Sequence, residues 1–189
     1  MTNYAKMERD YISRTLEILK QYDSHILPAV PKDQQYEVTL LMNCLLGLLI
    51  YPQQLATKKE YQTHFNAWLT TDFVTGLSPD WGIKATDVKS AGYKKKKKKK
   101  VKTEVAITIS ELTIRNLVRQ MRNTVAHASF KVNDSTYLIE RIEFIDTTRL
   151  NGFHMELQIS DLKKFVYKLA ETALARIPED PIPDSTNPE

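Results

Sequence analysis

The run Thr108-Ile-Ser-Glu-Leu-Thr-Ile-Arg-Asn-Leu-Val-Arg-Gln-Met-Arg-Asn-Thr-Val-Ala-His127 decides how this chain is read. Thr108 and Glu111 have the spacing of a capping box, in which a hydroxyl and a carboxylate three residues apart satisfy each other's free backbone N–H groups. That spacing predicts a helix from about Ser110 to His127. On a wheel of about 100° per residue with Arg122 at the origin, Ile114, Leu117, Val118, Met121 and Val125 fall between about 220° and 320°. Arg115, Asn116, Arg119, Arg122, Asn123 and His127 fall between about 0° and 140°, interrupted only by Ala126 and Leu112. One face is therefore core, and the other carries three guanidiniums, two amides and an imidazole. A solvated basic face is the plain reading, yet exposed helices usually pair bases with acids, and this arc holds none. The residue types also suit phosphate chemistry. Guanidinium forks onto phosphate and stabilises negative charge, and imidazole exchanges a proton near neutral pH.

The flanking sequence supplies the rest of the fold. Downstream, Tyr137 to Asp146 is rich in β-branched and aromatic residues. Asn151-Gly152 then offers a turn, and Phe153 to Ile159 alternates apolar and polar side chains, so a β-hairpin is expected. Ser160 is placed to cap a last helix with Leu162, Phe165, Val166, Leu169 and Ala173 on one stripe. Upstream, Asn3 to Tyr22 reads as an amphipathic helix with Tyr4, Met7, Tyr11, Ile18 and Tyr22 on its apolar side. A second helix, capped by Asp33, runs to Tyr51 and stops at Pro52. Its stretch Val38 to Tyr51 has no charge, is too short for a bilayer, and reads as a central buried helix in which Asn43 needs a partner. A third helix fits Lys58 to Leu69. Gly76, Pro79, Gly82 and Gly92 mark a loop, and Thr103 to Ile109 is either a short strand or the entry to the next helix. The expected fold is mainly α: a helical bundle with one β-hairpin before the last helix. It forms one domain over residues 1–176 with a lysine-rich flexible loop at about 84–103, and residues 177–189 form an acidic, proline-rich disordered tail.

Composition agrees with a soluble globular chain: 189 residues, 42% hydrophobic and 26% charged. The net charge of +4 comes from one place, because Lys94 to Lys100 and Lys102 contribute +8 and leave the remainder at −4. That lysine run is either a solvated loop or a clamp on a phosphate backbone, binding without regard to sequence and weakening with salt. The single cysteine, Cys44, excludes an internal disulfide and a cysteine zinc cluster, and its apolar surroundings predict an inert thiol. His25, His64 and His154 are scattered, and no His, Asp and Glu set has metal-ligand spacing, so no metal or other cofactor is expected. No Gly-x-Ser-x-Gly elbow and no phosphate-cradling glycine loop occurs, which argues against a serine hydrolase and an ATPase. Met1 to Asp10 is polar and has no signal-like apolar core, so a cytoplasmic location without membrane attachment is expected.

Arg122-Asn123 followed by three residues and His127, on a helix of an all-α bundle, resembles the motif of the HEPN superfamily: arginine, a polar residue, a short spacer, then histidine. The apolar second helix and the hairpin after the motif are similar to HEPN proteins of toxin and phage-defence systems, over residues 1–176. The resemblance implies a metal-independent endoribonuclease in a bacterial toxin–antitoxin or anti-phage system, dimerising through the Arg122/His127 helix. By the same resemblance Arg122 and His127 are catalytic, and Asn123 orients the phosphate or the ribose hydroxyl. The ribose 2′-hydroxyl attacks, and the products are a 2′,3′-cyclic phosphate and a 5′-hydroxyl. RNA, either tRNA or mRNA, is the expected partner, with an antitoxin or defence protein possible beside it.

Candidates for substrate binding are Arg115, Asn116 and Arg119, together with Lys94, Lys95, Lys96, Lys97, Lys98, Lys99, Lys100 and Lys102. The offset of about 140° between Arg122 and His127 is too wide for both to grip one atom from one helix, which independently favours a two-fold dimer. A second copy of the spacing, Arg149 to His154, crosses the expected turn and strand, and is read as chance. Two other readings remain open: a catalytically inactive RNA-binding or regulatory module on the same fold, and a helical interaction protein whose basic loop docks an acidic partner.

Overall fold

The computed structural model describes residues 7–31, 37–55, 69–98, 101–133, 139–146 and 152–177. In chain order these form α1 (Met7–Gln21), a π-turn (Tyr22–Ile26), α2 (Glu37–Leu55) and the one-turn α3 (Phe73–Gly76). Strands β1 (Val88–Ala91), β2 (Tyr93–Lys98) and β3 (Val101–Ala106) follow, then α4 (Ile114–Ala126). The chain continues through β4 (Phe130–Asn133), β5 (Arg141–Ile145) and β6 (Phe153–Gln158) into α5 (Ile159–Arg176). The protein is mainly helical, with a small antiparallel sheet before the last helix.

Leu41, Leu45 and Leu48 recur at helical spacing and are fully buried, so α2 forms the centre, packed against α1, α4 and α5. It approaches α1 closely because residue 47 is glycine; a Cβ there would strike the hydroxyl of Tyr11. Two expectations for this helix change. Asn43 is exposed and needs no protein partner. The helix also runs through Pro52 to Leu55, because a proline near the C-terminal end removes one N–H bond without preventing a last turn. Asp33, the expected cap, and most of the expected helix at Lys58 to Leu69 lie outside the described residues, although Leu69 itself is buried. On α1 the buried stripe is Ile12, Leu16 and Leu19, whereas Ile18 is 51% exposed.

The expected hairpin is β5–β6, pairing Ile142 with Leu157 and Phe144 with Met155. It is the middle of a four-stranded antiparallel sheet in the order β1-β6-β5-β4. Alternation puts Ile142, Phe144, Phe153, Met155 and Leu157 into the core and leaves charge on the outer face. There Glu156 on β6 accepts from Lys89 on β1 and, at 2.8 Å, from Arg141 on β5. The α5 stripe Leu162, Phe165, Val166, Leu169 and Ala173 is buried as expected, and Trp81 packs on Phe165 with ring centroids 6.0 Å apart. Ser160 is not its cap: the helix begins at Ile159, whose N–H is fixed by the carbonyl of Glu140 at 2.9 Å. Lys163 ties α5 to the π-turn through Asp23 and to α2 through Glu37, and Tyr167 donates to Asp23 at 2.7 Å. Ile177 is buried and bonded to the carbonyl of Ala173, so it belongs to the domain; the tail beyond it lies outside the described residues. Cys44 is a buried free thiol, pushed up to about 11 by burial, which suits the expectation of an inert group.

The segment expected as a flexible loop holds β1, β2 and the start of β3. β1 pairs with β6, and the lysine-bearing β2 pairs with β3 from Tyr93↔Ala106 to Lys98↔Val101. β2 and β3 form a separate two-stranded ribbon.

The hydrogen bonds from Lys89 and Arg141 hold the Glu156 carboxyl at about 2, below its ordinary value of about 4.3. A carboxylate depressed in the folded state contributes stability in full above its unfolded pKa, and that contribution fades as pH falls through the folded pKa. The melting-temperature difference between wild type and Glu156→Gln should therefore be constant above about pH 5.5 and should shrink steadily towards about pH 2. A difference independent of pH across that window would mean the three-strand ion cluster does not stabilise the sheet.

Candidate active site

The helix that carries the motif starts later than the capping box suggests. Thr108 N–H does meet Glu111 Oε2, at 3.5 Å, but this closes a single 3-10 turn, Ile109–Glu111. Leu112 then runs extended and buries its side chain, while its carbonyl accepts from Phe73 N–H at 2.8 Å. The true cap is Thr113, whose hydroxyl accepts from Asn116 N–H at 3.2 Å, and Ile114 N–H is fixed by Thr71 at 3.1 Å. The helix thus opens at Ile114 and ends at Ala126, with His127 as its C-cap.

Its apolar face is as expected: Ile114, Leu117, Val118 and Met121 are fully buried. Val125 is only half-buried. Two polar residues share the interior, Thr124, which bonds back to the Met121 carbonyl at 2.8 Å, and Gln120.

The helix end is locked. Ala128 N–H bonds the carbonyl of Val125 at 3.1 Å, and Ser129 N–H that of Thr124 at 2.7 Å, a Schellman pair around Ala128. Ala128 adopts φ 51°, a left-handed conformation usually given to glycine. The chain then enters β4 directly, and Ile145 N–H holds the Ser129 carbonyl at 2.9 Å. His127 is therefore fixed between a helix and a sheet.

Five of the six expected residues of the polar arc lie on this one helix, and the sixth, His127, caps it. Arg115 and His127 are exposed, and Asn116, Arg119, Arg122 and Asn123 are half-buried. They form two ridges, Arg115–Arg119–Arg122 and Asn116–Gln120–Asn123–His127, each stepping three or four residues. Among the described residues no carboxylate pairs with any of the three arginines. Elsewhere the described cations are commonly matched, as Arg141 and Lys89 are by Glu156, Lys163 by Asp23 and Glu37, and Lys168 by Asp80. Burial holds the Arg119 guanidinium below its usual range; Tyr93 opposes this, and the nearby charges of Arg115 and Arg122 add smaller lowering effects. The Nε of Arg122 is buried without a hydrogen-bond partner among the described residues.

The lysine ribbon is seated on this helix. Arg119 Nη2 donates to the Tyr93 carbonyl at 3.4 Å. Gly92, at φ 81°, packs so closely on the Gln120 amide that a Cβ would collide with it. The Gly92 carbonyl accepts from Ile107 N–H at 2.8 Å and closes the ribbon's base. Lys94 to Lys98 follow along β2, and Lys102 on β3 lies opposite Lys97. Lys99 and Lys100 fall outside the described residues, as does Arg149 of the second motif copy, whose His154 sits on β6 near Glu143. Sequence reasoning read Gly92 only as a loop marker and did not single out Gln120 or Ala128. Gly92 immediately before the run was the available signal for a fixed root.

Among the described residues, concave spaces lie away from α4. A groove of about 390 Å³ is lined by Asp80, Ser160, Lys163, Lys164, Tyr167, Lys168 and Glu171, and a polar one of about 210 Å³ involves Lys89, Arg141 and Glu156. Their cations are already paired, so the unmatched charge on α4 is the better candidate. Among the described residues no three His, Cys, Asp or Glu side chains gather as metal ligands, and no helix is long and apolar enough to cross a membrane.

A helical bundle capped by a small antiparallel sheet, with arginine and histidine displayed on one interior-anchored helix, defines the class. The chain belongs to the family described as HEPN pEK499 p136, whose model matches residues 1–180. No curated protein and no solved structure matches it.

Ala128 offers a test of the helix lock. Replacing it with glycine removes left-handed strain of about 1 kcal/mol, so Ala128→Gly should raise the melting temperature by about 3 °C. An unchanged or lower value would show that the Schellman turn is not strained by alanine.

Proposed function

We propose that the protein is a metal-independent endoribonuclease of a bacterial toxin–antitoxin or anti-phage system, acting on tRNA or mRNA at the Arg122/His127 face of α4. The carrying observation is that three guanidiniums, two amides and an imidazole share one helix face with no carboxylate partner among the described residues. Unmatched cations attract a polyanion, and membership of a HEPN family supports an RNA-related, nuclease-type role in general.

The chemistry follows from the substrate. RNA carries its own nucleophile, so the neutral imidazole of His127 takes the proton of a ribose 2′-hydroxyl. The oxygen attacks phosphorus, the bond to the 5′ oxygen breaks, and that oxygen takes up a proton. Arg122 stabilises the negative charge that builds on the equatorial oxygens. Asn123 orients the phosphate or the ribose.

His127 and Arg122 diverge by about 140° and about 7.5 Å along the helix, so one copy does not converge both on one phosphate. We place two copies about a two-fold axis, with α4 facing α4, so that an arginine from one and a histidine from the other meet. Arg119, Arg115 and Asn116 bind flanking nucleotides, and the lysine ribbon holds the backbone.

Total tRNA and an mRNA incubated with EDTA should be cut to cyclic-phosphate ends by wild type. His127→Ala should be slower by about 10² to 10⁴ and Arg122→Ala by about 10² to 10³. Binding of RNA without cutting would support the inactive RNA-binding module instead. Cutting that needs added metal, or survives His127→Ala, would overturn the mechanism.

The ribbon has its own readout. Each lysine–phosphate contact on single-stranded RNA contributes about 0.7 to the slope of log affinity against log salt. Changing Lys95, Lys97 and Lys102 to glutamine should flatten that slope by about 2. An unaltered slope would remove the ribbon from the interface.

A further inference from the structure

The charge of this chain is concentrated in two short segments. The sequence has 27 basic and 23 acidic residues. Lys94 to Lys100 and Lys102 hold eight of the bases. Residues 178–189, Pro-Glu-Asp-Pro-Ile-Pro-Asp-Ser-Thr-Asn-Pro-Glu, hold four of the acids and no base. Setting both segments aside leaves 19 bases against 19 acids, a neutral body. That body matches its charges internally, with Lys89, Arg141, Lys163, Lys164 and Lys168 each meeting a carboxylate. The ribbon lacks the acids to do so. Its strands, Tyr93–Lys98 and Val101–Ala106, carry six lysines and one acid, Glu104. Successive residues of a strand alternate between its faces, so Lys94, Lys96 and Lys98 share one face. Their partners across the ribbon, Val105, Thr103 and Val101, bring no charge to it. Glu104 belongs to the opposite face, with Lys95, Lys97 and Lys102.

The acidic segment leaves the domain from a fixed point. Ile177 is buried, its N–H bonds the Ala173 carbonyl at 3.1 Å, and its own carbonyl accepts from Arg9 at 2.8 Å. The twelve residues beyond it can span about 40 Å at about 3.3 Å each. A domain of this length has a radius of gyration of about 16 Å, so the segment is long enough to cross the molecule.

We propose that the lysine ribbon is the docking surface for the chain's own acidic tail, with Asp180 and Asp184 held along Lys94, Lys96 and Lys98. In extended polyproline form, which prolines favour, Asp180 and Asp184 lie about 12 Å apart, and Lys94 to Lys98 span about 13 Å along the strand. The two rows of opposite charge match in length. The tether raises the local concentration of the tail to about the millimolar range, enough for a contact made of a few exposed ion pairs. RNA held by the same lysines must displace the tail. That consequence rests on the ribonuclease reading, whereas the contact itself does not.

The contact is tested on the full chain carrying a nitroxide attached through Ser185→Cys; Cys44 is buried, so the label goes to position 185 alone. In dilute solution at low salt the amide signals of residues 93–106 should broaden. The broadening should vanish when Lys94, Lys96 and Lys98 become glutamine, and equally when Glu179→Gln, Asp180→Asn and Asp184→Asn are combined. It should also vanish at about 1 M salt, where screening acts within about 3 Å. Thermal melting confirms that each variant is folded. Broadening that survives salt or the lysine changes, or that falls evenly over the surface, would overturn the contact. So would broadening carried from labelled copies to unlabelled ones in a mixed sample, which would assign it to a second molecule. The neutralised tail should raise affinity for single-stranded RNA about threefold to tenfold at low salt, and should give no gain once the three lysines are changed. If the nitroxide reports the contact but RNA affinity does not move, docking stands and the ribbon leaves the RNA interface. If RNA binds and the nitroxide reports no contact, docking falls and the ribonuclease reading is untouched.

Discussion

Four fully buried side chains on one stripe of α4, Ile114, Leu117, Val118 and Met121, impose the constraint on which the site depends. Burying four such residues is worth about 6–12 kcal/mol before chain entropy is counted. The opposing cost is the crowding of Arg115, Arg119 and Arg122. At about 6 Å a pair of like charges repels by under 1 kcal/mol in water and by about 3 kcal/mol at the effective dielectric of a protein surface. Burial wins, so the helix does not turn its guanidiniums towards distant acids. The polar face is held outward because the opposite face has nowhere else to go. Both ends of the helix reinforce this, the N-terminus through Thr71 and Thr113 and the C-terminus through the turn at Ala128.

The lysine ribbon obeys a different balance. A strand with five consecutive lysines gains little from side-chain burial, and like charges in register, as at Lys97↔Lys102, disfavour pairing. What favours it lies at the base: Gly92 at positive φ on the Gln120 amide, the Gly92 carbonyl bonded to Ile107, and the Arg119 bond to Tyr93. On the partner strand Val101, Thr103 and Val105 supply β-branched residues, and Glu104 one opposing charge. A polyanion that bound this ribbon would neutralise the repulsion that opposes pairing. Ligand binding and ribbon order would then strengthen each other, since whatever binds the paired form stabilises it.

The faces of α4 were legible because a helix repeats every 3.6 residues and Ile114, Leu117, Val118 and Met121 keep that period. Its start was not, because two threonines compete. Thr108 has the better capping spacing, but Leu112 must leave the helical path to bury its side chain and bond Phe73, which passes the role to Thr113. The β5–β6 hairpin announced itself by alternation, whereas β1 and β4, four residues each, are too short to carry a period. The lysine strand was hidden for a physical reason: its local charge argues against a strand, and only the tertiary seat at Gly92 and Arg119 reverses that. Ser160 misled in the same way as Thr108, a capping side chain one residue inside a helix whose start is fixed by a backbone bond to Glu140. In each failure a contact distant in sequence overrode a sound local signal.

The residues of the proposed chemistry differ in how they are held, and that bears on the need for a second copy. Arg122 is mid-helix with part of its guanidinium buried, so its reach is narrow. His127 is pinned at the helix end by Asn123, by the turn at Ala128 and by the bond from β5 to Ser129. Neither backbone can rotate to close the angle between the two side chains without breaking the core stripe or the sheet. In the proposed two-copy site this rigidity would fix the spacing of the pair, because both elements that set the distance belong to the folded core.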